Sequence, residues 1–467
     1  MKNKSNKQLL TNTIVFGVGN IGTKLIGILL LPFYTAILTT AEYGIADIYT
    51  NTINLIMPIV SFSIYDAVLR YSLEEIDHRE KLLSSGFKIT LLGNGLIPLG
   101  AIILKITFLN NINVINLGLI CFVISAQSFQ QLLANYIRGI GQLKIYATSG
   151  LINAISAGIS SYLFLYIVQF RIVGYLFSIL IGNISTIFFL CFFIDLKTML
   201  KNQIKRKDMI GLLQYSIPLV PNAILWWVLN GSNRYIIILF EGAEATGIFS
   251  VANKIPSIVT SIAAVFLQAW QITAIKDYQK NKKEYYNNIY KFYYTIVCVC
   301  VFITIIFLKP IVRILFDSSY YQSWMYTAPL LIGCLFLTLA NFLGTHYLVA
   351  KCTKKIFTTS LIAALTNLTI SILTIPMIGI SGSVLGIVIS YIVIFILRLK
   401  EIEVICGLGL SNKGLILMLP VYTIQLVFIL IFDSEIHWYL LNSILSLYCI
   451  IIFYFIYKRE AKTLKNM

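Results

Sequence analysis

Apolar runs of about 20 residues, each long enough to cross a bilayer as a helix, recur from end to end of this sequence. No motif limits the fold as strongly. In hydrocarbon, every backbone N–H and C=O must be satisfied inside the protein, and a helix does this within each segment. Fourteen runs are centred near Leu25, Met57, Asn94, Ser125, Ala157, Ile181, Trp226, Thr260, Val299, Leu335, Leu365, Ile389, Tyr422 and Leu447. Of the 467 residues, 58% are hydrophobic and 12% charged, against about 25% charged in a soluble domain. The sequence predicts an all-α, polytopic integral membrane protein with about 14 transmembrane helices.

The net charge of +17 raises the question of nucleic acid or another acidic partner. Its distribution answers it. The N-terminus, the even-numbered loops and the C-terminal tail carry 29 of the 36 Lys and Arg residues. The opposite side carries only Lys105, Arg171, Lys309 and Arg313. Cytoplasmic loops collect basic residues, so both termini are expected in the cytoplasm and no nucleic acid is implied. The first apolar run, Thr11 to Leu38, is too long for a cleaved signal peptide. Eight cysteines show neither metal nor disulfide spacing; Cys298 and Cys300 lie in an apolar helix, where thiols behave as small hydrophobes.

The longest breaks between spans are about fifteen residues, as in Lys197–Asp208, Lys276–Tyr290 and Lys309–Ser323. They hold no soluble domain. The chain also repeats weakly. Ala41-Glu42-Tyr43-Gly44-Ile45, opening the second span, is echoed by Ala243-Glu244-Ala245-Thr246-Gly247-Ile248, opening the eighth. The offset, about 202 residues, equals six spans, and an even number preserves orientation. Expected are two six-helix lobes, 1–208 and 209–405, followed by an extra helix pair with its tail, 406–467. Two such lobes would enclose a cavity, and rocking them would give alternating access. Pro32, Pro58, Pro98, Pro218, Pro221 and Pro256 lie within spans, where each removes a backbone hydrogen bond.

Four charges fall clearly inside spans: Lys24, Asp47, Arg234 and Lys254. Lys24 is about 20 Å from the start of its span. A charge at such depth costs roughly 2.5–3.5 kcal/mol, so it usually faces a protein interior and marks a pathway or ligand. Lys24, Arg234 and Lys254 are therefore candidates for holding an anion. Asp47 is a candidate for coupling to H+ or Na+, or for pairing with Lys24. Arg234 lies close enough to the membrane surface to snorkel. Asn20, Asn51, Asn54, Asn222, Asn230, Asn233 and Asn253 add amides suited to sugars and phosphates; Asn230 and Asn253 are taken as substrate contacts. His346, alone in the tenth span, is expected to be satisfied by a neighbour. Gly17-Val18-Gly19-Asn20-Ile21-Gly22 spells the dinucleotide fingerprint but lacks the preceding strand, so it is read as small-residue helix packing.

The chain resembles the Wzx-type polysaccharide flippases, in the superfamily that includes the MATE exporters and the lipid II flippase. The resemblance rests on Asn12-Thr13-Ile14 through Gly27, on the L-x-x-A-E-Y-G-I turn ending at Ile45, on Ser232-Asn233-Arg234-Tyr235-Ile236, and on Gly247-Ile248-Phe249. It implies MATE-like lobes and no enzymatic activity or cofactor. The implied task is moving an undecaprenyl-pyrophosphate-linked oligosaccharide, for O-antigen, lipopolysaccharide or capsule, across the bacterial inner membrane. A polymerase and a chain-length regulator are the implied partners. Relatives often carry Asp before the Arg of the seventh span, where this chain has Asn233. The competing readings are a MATE-type cation-coupled exporter, which wants acidic residues in the first span, and a membrane polymerase or glycosyltransferase, which wants a large catalytic loop.

Overall fold

The computed structural model describes residues 22–74, 79–98, 100–102, 113–195, 206–276, 283–349, 353–406, 410, 412–431 and 438–449. Among them there is helix and no strand, and every one of the fourteen expected span centres lies on helix. Among the described residues, nine helices are long and apolar enough to cross a membrane, ten if one bent pair is counted as a span. The protein is a multi-pass helical membrane protein. The chain forms two compact units, Met1–Gly231 and Ser232–Met467.

Unit 1 contains α1 (Gly22–Ile37), α2 (Thr40–Val60), α3 (Ile64–Glu74), α4 (Arg79–Asn94), α5 (Val114–Gly139), α6 (Leu143–Ser161), α7 (Arg171–Cys191), α8 (Arg206–Ser216) and the first part of α9 (Leu219–Phe240). Thr39 starts α2 with a reciprocal cap: its hydroxyl accepts from Glu42 N at 3.2 Å, and its N–H donates to Glu42 Oε2 at 3.0 Å. Glu42 also receives Arg171 Nη1 at 2.9 and 3.0 Å, tying the start of α2 to the start of α7. Before α7, the helix α6 ends in a π-helical turn, Tyr162–Ile167.

The second span is broken rather than straight. α2 and α3 meet at 56°, with Phe62 and Ser63 at φ 51° and 49° between them. Pro58 lies three residues before the break and cannot donate to its helical acceptor, Asn54 O. The last carbonyls of α2 are satisfied locally: Ser61 N and Oγ donate to Met57 O at 3.0 and 2.7 Å, and Ser63 N donates to Pro58 O at 2.9 Å. Two apolar cores flank the break. Tyr49, Ile53 and Met57 of α2 pack with Val123 and Ile124 of α5, while Ala67 and Val68 of α3 pack with Leu83 of α4 and Leu132 of α5.

Unit 2 continues with the rest of α9, then α10 (Gly242–Ala252), α11 (Lys254–Lys276), α12 (Lys283–Ile306), the short α13 (Leu308–Leu315), α14 (Ser323–Val349), α15 (Thr353–Ile378), α16 (Ile380–Cys406), α17 (Lys413–Ile431) and α18 (438–449). α14 is central, with Leu331, Leu335, Leu339 and Phe342 fully buried. Phe342 stacks against Trp270 of α11 at 5.5 Å and Tyr293 of α12 at 5.0 Å. α17 and α18 are fastened to α12, where Tyr422 Oη donates to Cys298 O at 2.8 Å and Trp438 Nε1 to Ile306 O at 2.9 Å.

Arg398 ties three helices together. It is 2% exposed. Its guanidinium donates to Ala340 O of α14 at 2.8 Å, Thr359 Oγ1 of α15 at 3.3 Å and Ser360 Oγ of α15 at 3.2 Å. By sequence it counts among the loop cations. The structure instead sinks it into the bundle on neutral partners, with Gly344 leaving room for Nη1.

Candidate functional site

Unit 1 holds a polar stripe on α2. Asp47, Asn51 and Asn54 fall at i, i+4 and i+7, one face of a helix. Asp47 is 6% exposed, deep enough that its carboxylate needs donors. Asn51 Nδ2 supplies one, at 3.3 Å from Asp47 Oδ2, while also reaching Asp47 O at 2.8 Å. Asn51 O accepts in turn from Trp227 Nε1 of α9 at 2.9 Å. Gly231 lies against the same pair: a Cβ there would stand 3.1 Å from Asn51 Oδ1 and 3.0 Å from Trp227 Nε1. The α2 stripe and α9 are thus held together by hydrogen bonds and close approach. Gln127 Nε2 of α5 reaches Asn54 Oδ1 at 3.3 Å.

Lys24 and Asn230 also belong to unit 1. Lys24 stands on α1 with its side chain exposed, and Gly27, nearly one turn on, has open space where a Cβ would be. Asn230 is exposed, its Nδ2 donating to Trp226 O at 2.7 Å. Of the fingerprint-like glycines, residues 17–21 lie outside the described residues, as does Asn20. Gly22 is described. A Cβ there would come 2.9 Å from Leu151, and one at Gly150 would come 2.9 Å from Thr23, so α1 and α6 pack closely through small residues.

In unit 2 two of the predicted residues, Arg234 and Asn253, reach Phe249. Arg234 is 9% exposed, its guanidinium carbon 5.7 Å from the Phe249 ring centre. Asn253 Nδ2 donates to Phe249 O at 2.8 Å, at the turn between α10 and α11. Lys254, the first residue of α11, is partly exposed. The snorkelling expected for Arg234 is not what the structure shows; its side chain turns into the unit. Next to it, Asn233 Nδ2 donates to Asn367 Oδ1 at 3.2 Å, an oxygen that also accepts from Ser371 Oγ at 3.3 Å. Asn51 and Asn253, 202 residues apart, each bond the carbonyl four residues earlier.

His346 is 2% exposed and packs beside the rings of Tyr286, at 5.5 Å, and Phe342, at 5.8 Å. No group of three or more His, Cys, Asp or Glu fit for a metal occurs among the described residues. The sequence reading missed Trp227 and Arg398. Gly231, one helical turn beyond the indole, was a usable hint for Trp227; nothing local marked Arg398 as buried.

Long apolar helices with charges and amides at depth, joined by short connections, define a multi-pass helical membrane protein with two compact units. The chain belongs to the polysaccharide biosynthesis protein family, whose model matches residues 9–272. No curated protein matches it in sequence. Its fold is shared with solved transporters. The lipid II flippase MurJ, in an inward closed conformation, aligns at a TM-score of 0.74 and 16% identity, over 97% of this chain and 100% of that one. An inward-facing multidrug resistance MATE transporter of the MOP superfamily aligns at 0.66 and 11% identity, over 85% and 94%. A MOP superfamily transporter from Pyrococcus furiosus, described as having a binding pocket of reversed polarity, aligns at 0.61 and 12%, over 86% and 96%.

Proposed function

We propose that this protein is a flippase that carries an undecaprenyl-pyrophosphate-linked oligosaccharide across the bacterial cytoplasmic membrane by alternating access. The observation that carries this reading is an exposed lysine, Lys24, midway along the apolar run from Thr11 to Leu38 of a polysaccharide biosynthesis family member. Bilayers exclude the anionic head group, and an ammonium gives it a compact point-charge contact from which it can leave. Lys254 joins Lys24 in holding the pyrophosphate, and Arg234 acts further along the path. Asn230 and Asn253 contact the sugars, while Asp47 takes the coupling ion. The fold likeness to MurJ supports a lipid-linked cargo of this kind.

The basic loops support cytoplasmic termini. The lobes of the transport cycle correspond to 1–208 and 209–405, with 406–467 appended. A polymerase and a chain-length regulator act on the delivered glycan, which serves O-antigen, lipopolysaccharide or capsule. The test follows surface glycan in a flippase-deficient strain expressing Lys24→Ala or Lys24→Arg. Expected is a loss of about tenfold or more for Ala, partly recovered by Arg. Normal glycan from Lys24→Ala at normal protein level would overturn the cationic site.

A further inference from the structure

Three side chains of α9 make a ladder on the membrane helix. Asn222, Trp226 and Asn230 follow at intervals of four, so they share a face and drift by only about 40° per step. None is buried: Asn230 is exposed, Asn222 and Trp226 partly so. The 2.7 Å bond from Asn230 Nδ2 to Trp226 O holds the upper amide against the turn that bears the indole.

This face is not built for lipid. Amides turned toward hydrocarbon give up hydrogen bonds that nothing replaces. Among the large apolar side chains of α9 the most open is Leu239, 80% exposed, which lies about 180° around the helix from Asn230. Depth favours a ligand as well. Measured from Phe240 at 1.5 Å per residue, Asn230, Trp226 and Asn222 lie about 15, 21 and 27 Å into the helix. Lys24 lies about 20 Å from Ile37, the last residue of α1. Trp226 and the leading candidate for the phosphates therefore stand at nearly the same depth.

An amide, an indole and an amide in a row match the surface of a carbohydrate. A pyranose ring presents a flat C–H face that stacks on indole, and a rim of hydroxyls that both donate and accept, as amides do. A cationic drug would call for a carboxylate, and the ladder has none. We infer that Asn222, Trp226 and Asn230 form a saccharide-binding ladder that receives the glycan of the cargo, apart from the cations that take its phosphates. This rests on the flippase reading above.

The experiment measures binding to the purified full chain of two water-soluble probes. One is citronellyl pyrophosphate bearing the strain's own repeat-unit oligosaccharide; the other is citronellyl pyrophosphate alone. Trp226→Ala should weaken binding of the glycosylated probe about tenfold and leave the bare probe unchanged, with Trp226→Phe near wild type. Asn222→Ala should act in the same direction as Trp226→Ala, more weakly. Equal losses for both probes, or no loss for either, would overturn the ladder while leaving the flippase reading in place. Failure of the wild type to bind the glycosylated probe would overturn both.

Discussion

Gly93 shows how much a single hydrogen atom can matter in a membrane bundle. Its backbone is ordinary helix, yet a Cβ there would overlap the Val60 carbonyl oxygen at the break between α2 and α3. Gly27 is the contrast, with nothing within 4 Å of the same added atom. Gly93→Ala should therefore lower the melting temperature of the purified protein through an overpacking cost of about 1–3 kcal/mol. Gly27→Ala should leave it unchanged or slightly higher. Equal effects would show that α4 does not sit against the break. Sequence alone distinguishes neither glycine, because the reason lies in a carbonyl more than thirty residues away. Lys24, Arg234 and Lys254 were legible for the opposite reason: a charge in an apolar run stands out without knowledge of its neighbours. What stayed hidden was direction. Arg234 turns into its unit, against Phe249, and only packing could reveal that.

Helix ends and helix clamps set the next scale. Glu42 closes the cap of α2 and also holds Arg171, two contributions that substitution can separate. Glu42→Gln keeps an acceptor for Thr39 N and loses the charge, so it should cost under about 1 kcal/mol, since Arg171 is well exposed to solvent. Glu42→Ala loses both and should cost about 1–2 kcal/mol. Thermal unfolding of the two variants beside wild type decides this, and equal shifts would refute the double role. For Arg398, the three acceptors on α14 and α15 are spread around a planar fork, which an ammonium cannot reproduce. Arg398→Lys should thus destabilise nearly as much as Arg398→Met, each by about 1–3 kcal/mol for the buried acceptors left short. A lysine variant as stable as wild type would argue that charge alone matters there. That helix lies at all fourteen expected span centres was legible from hydropathy. The break at 61–63 was not, because Phe62 and Ser63 adopt positive φ without a glycine to announce it, and Pro58 was one of several prolines.

For the molecule as a whole, charge distribution and the spacing of a short echo pointed to two halves, and Asn51 and Asn253 make the same bond in each. The division into compact units falls between Gly231 and Ser232, inside α9. The basic segment before Asp208, the proposed boundary of the lobes, lies outside that helix and is the place to cut the gene. Severing α9 at its midpoint would create two new helix ends within the membrane, each with up to four orphan backbone groups and no water to satisfy them. Severing the chain between 205 and 206 leaves that helix whole, with the Trp227–Asn51 bond available to bring the pieces together. Co-expressed fragments 1–205 and 206–467 should reconstitute surface glycan to at least about half the intact level, whereas 1–231 with 232–467 should not. The intact helix would then be the splice that lets two separately made polypeptides behave as one machine.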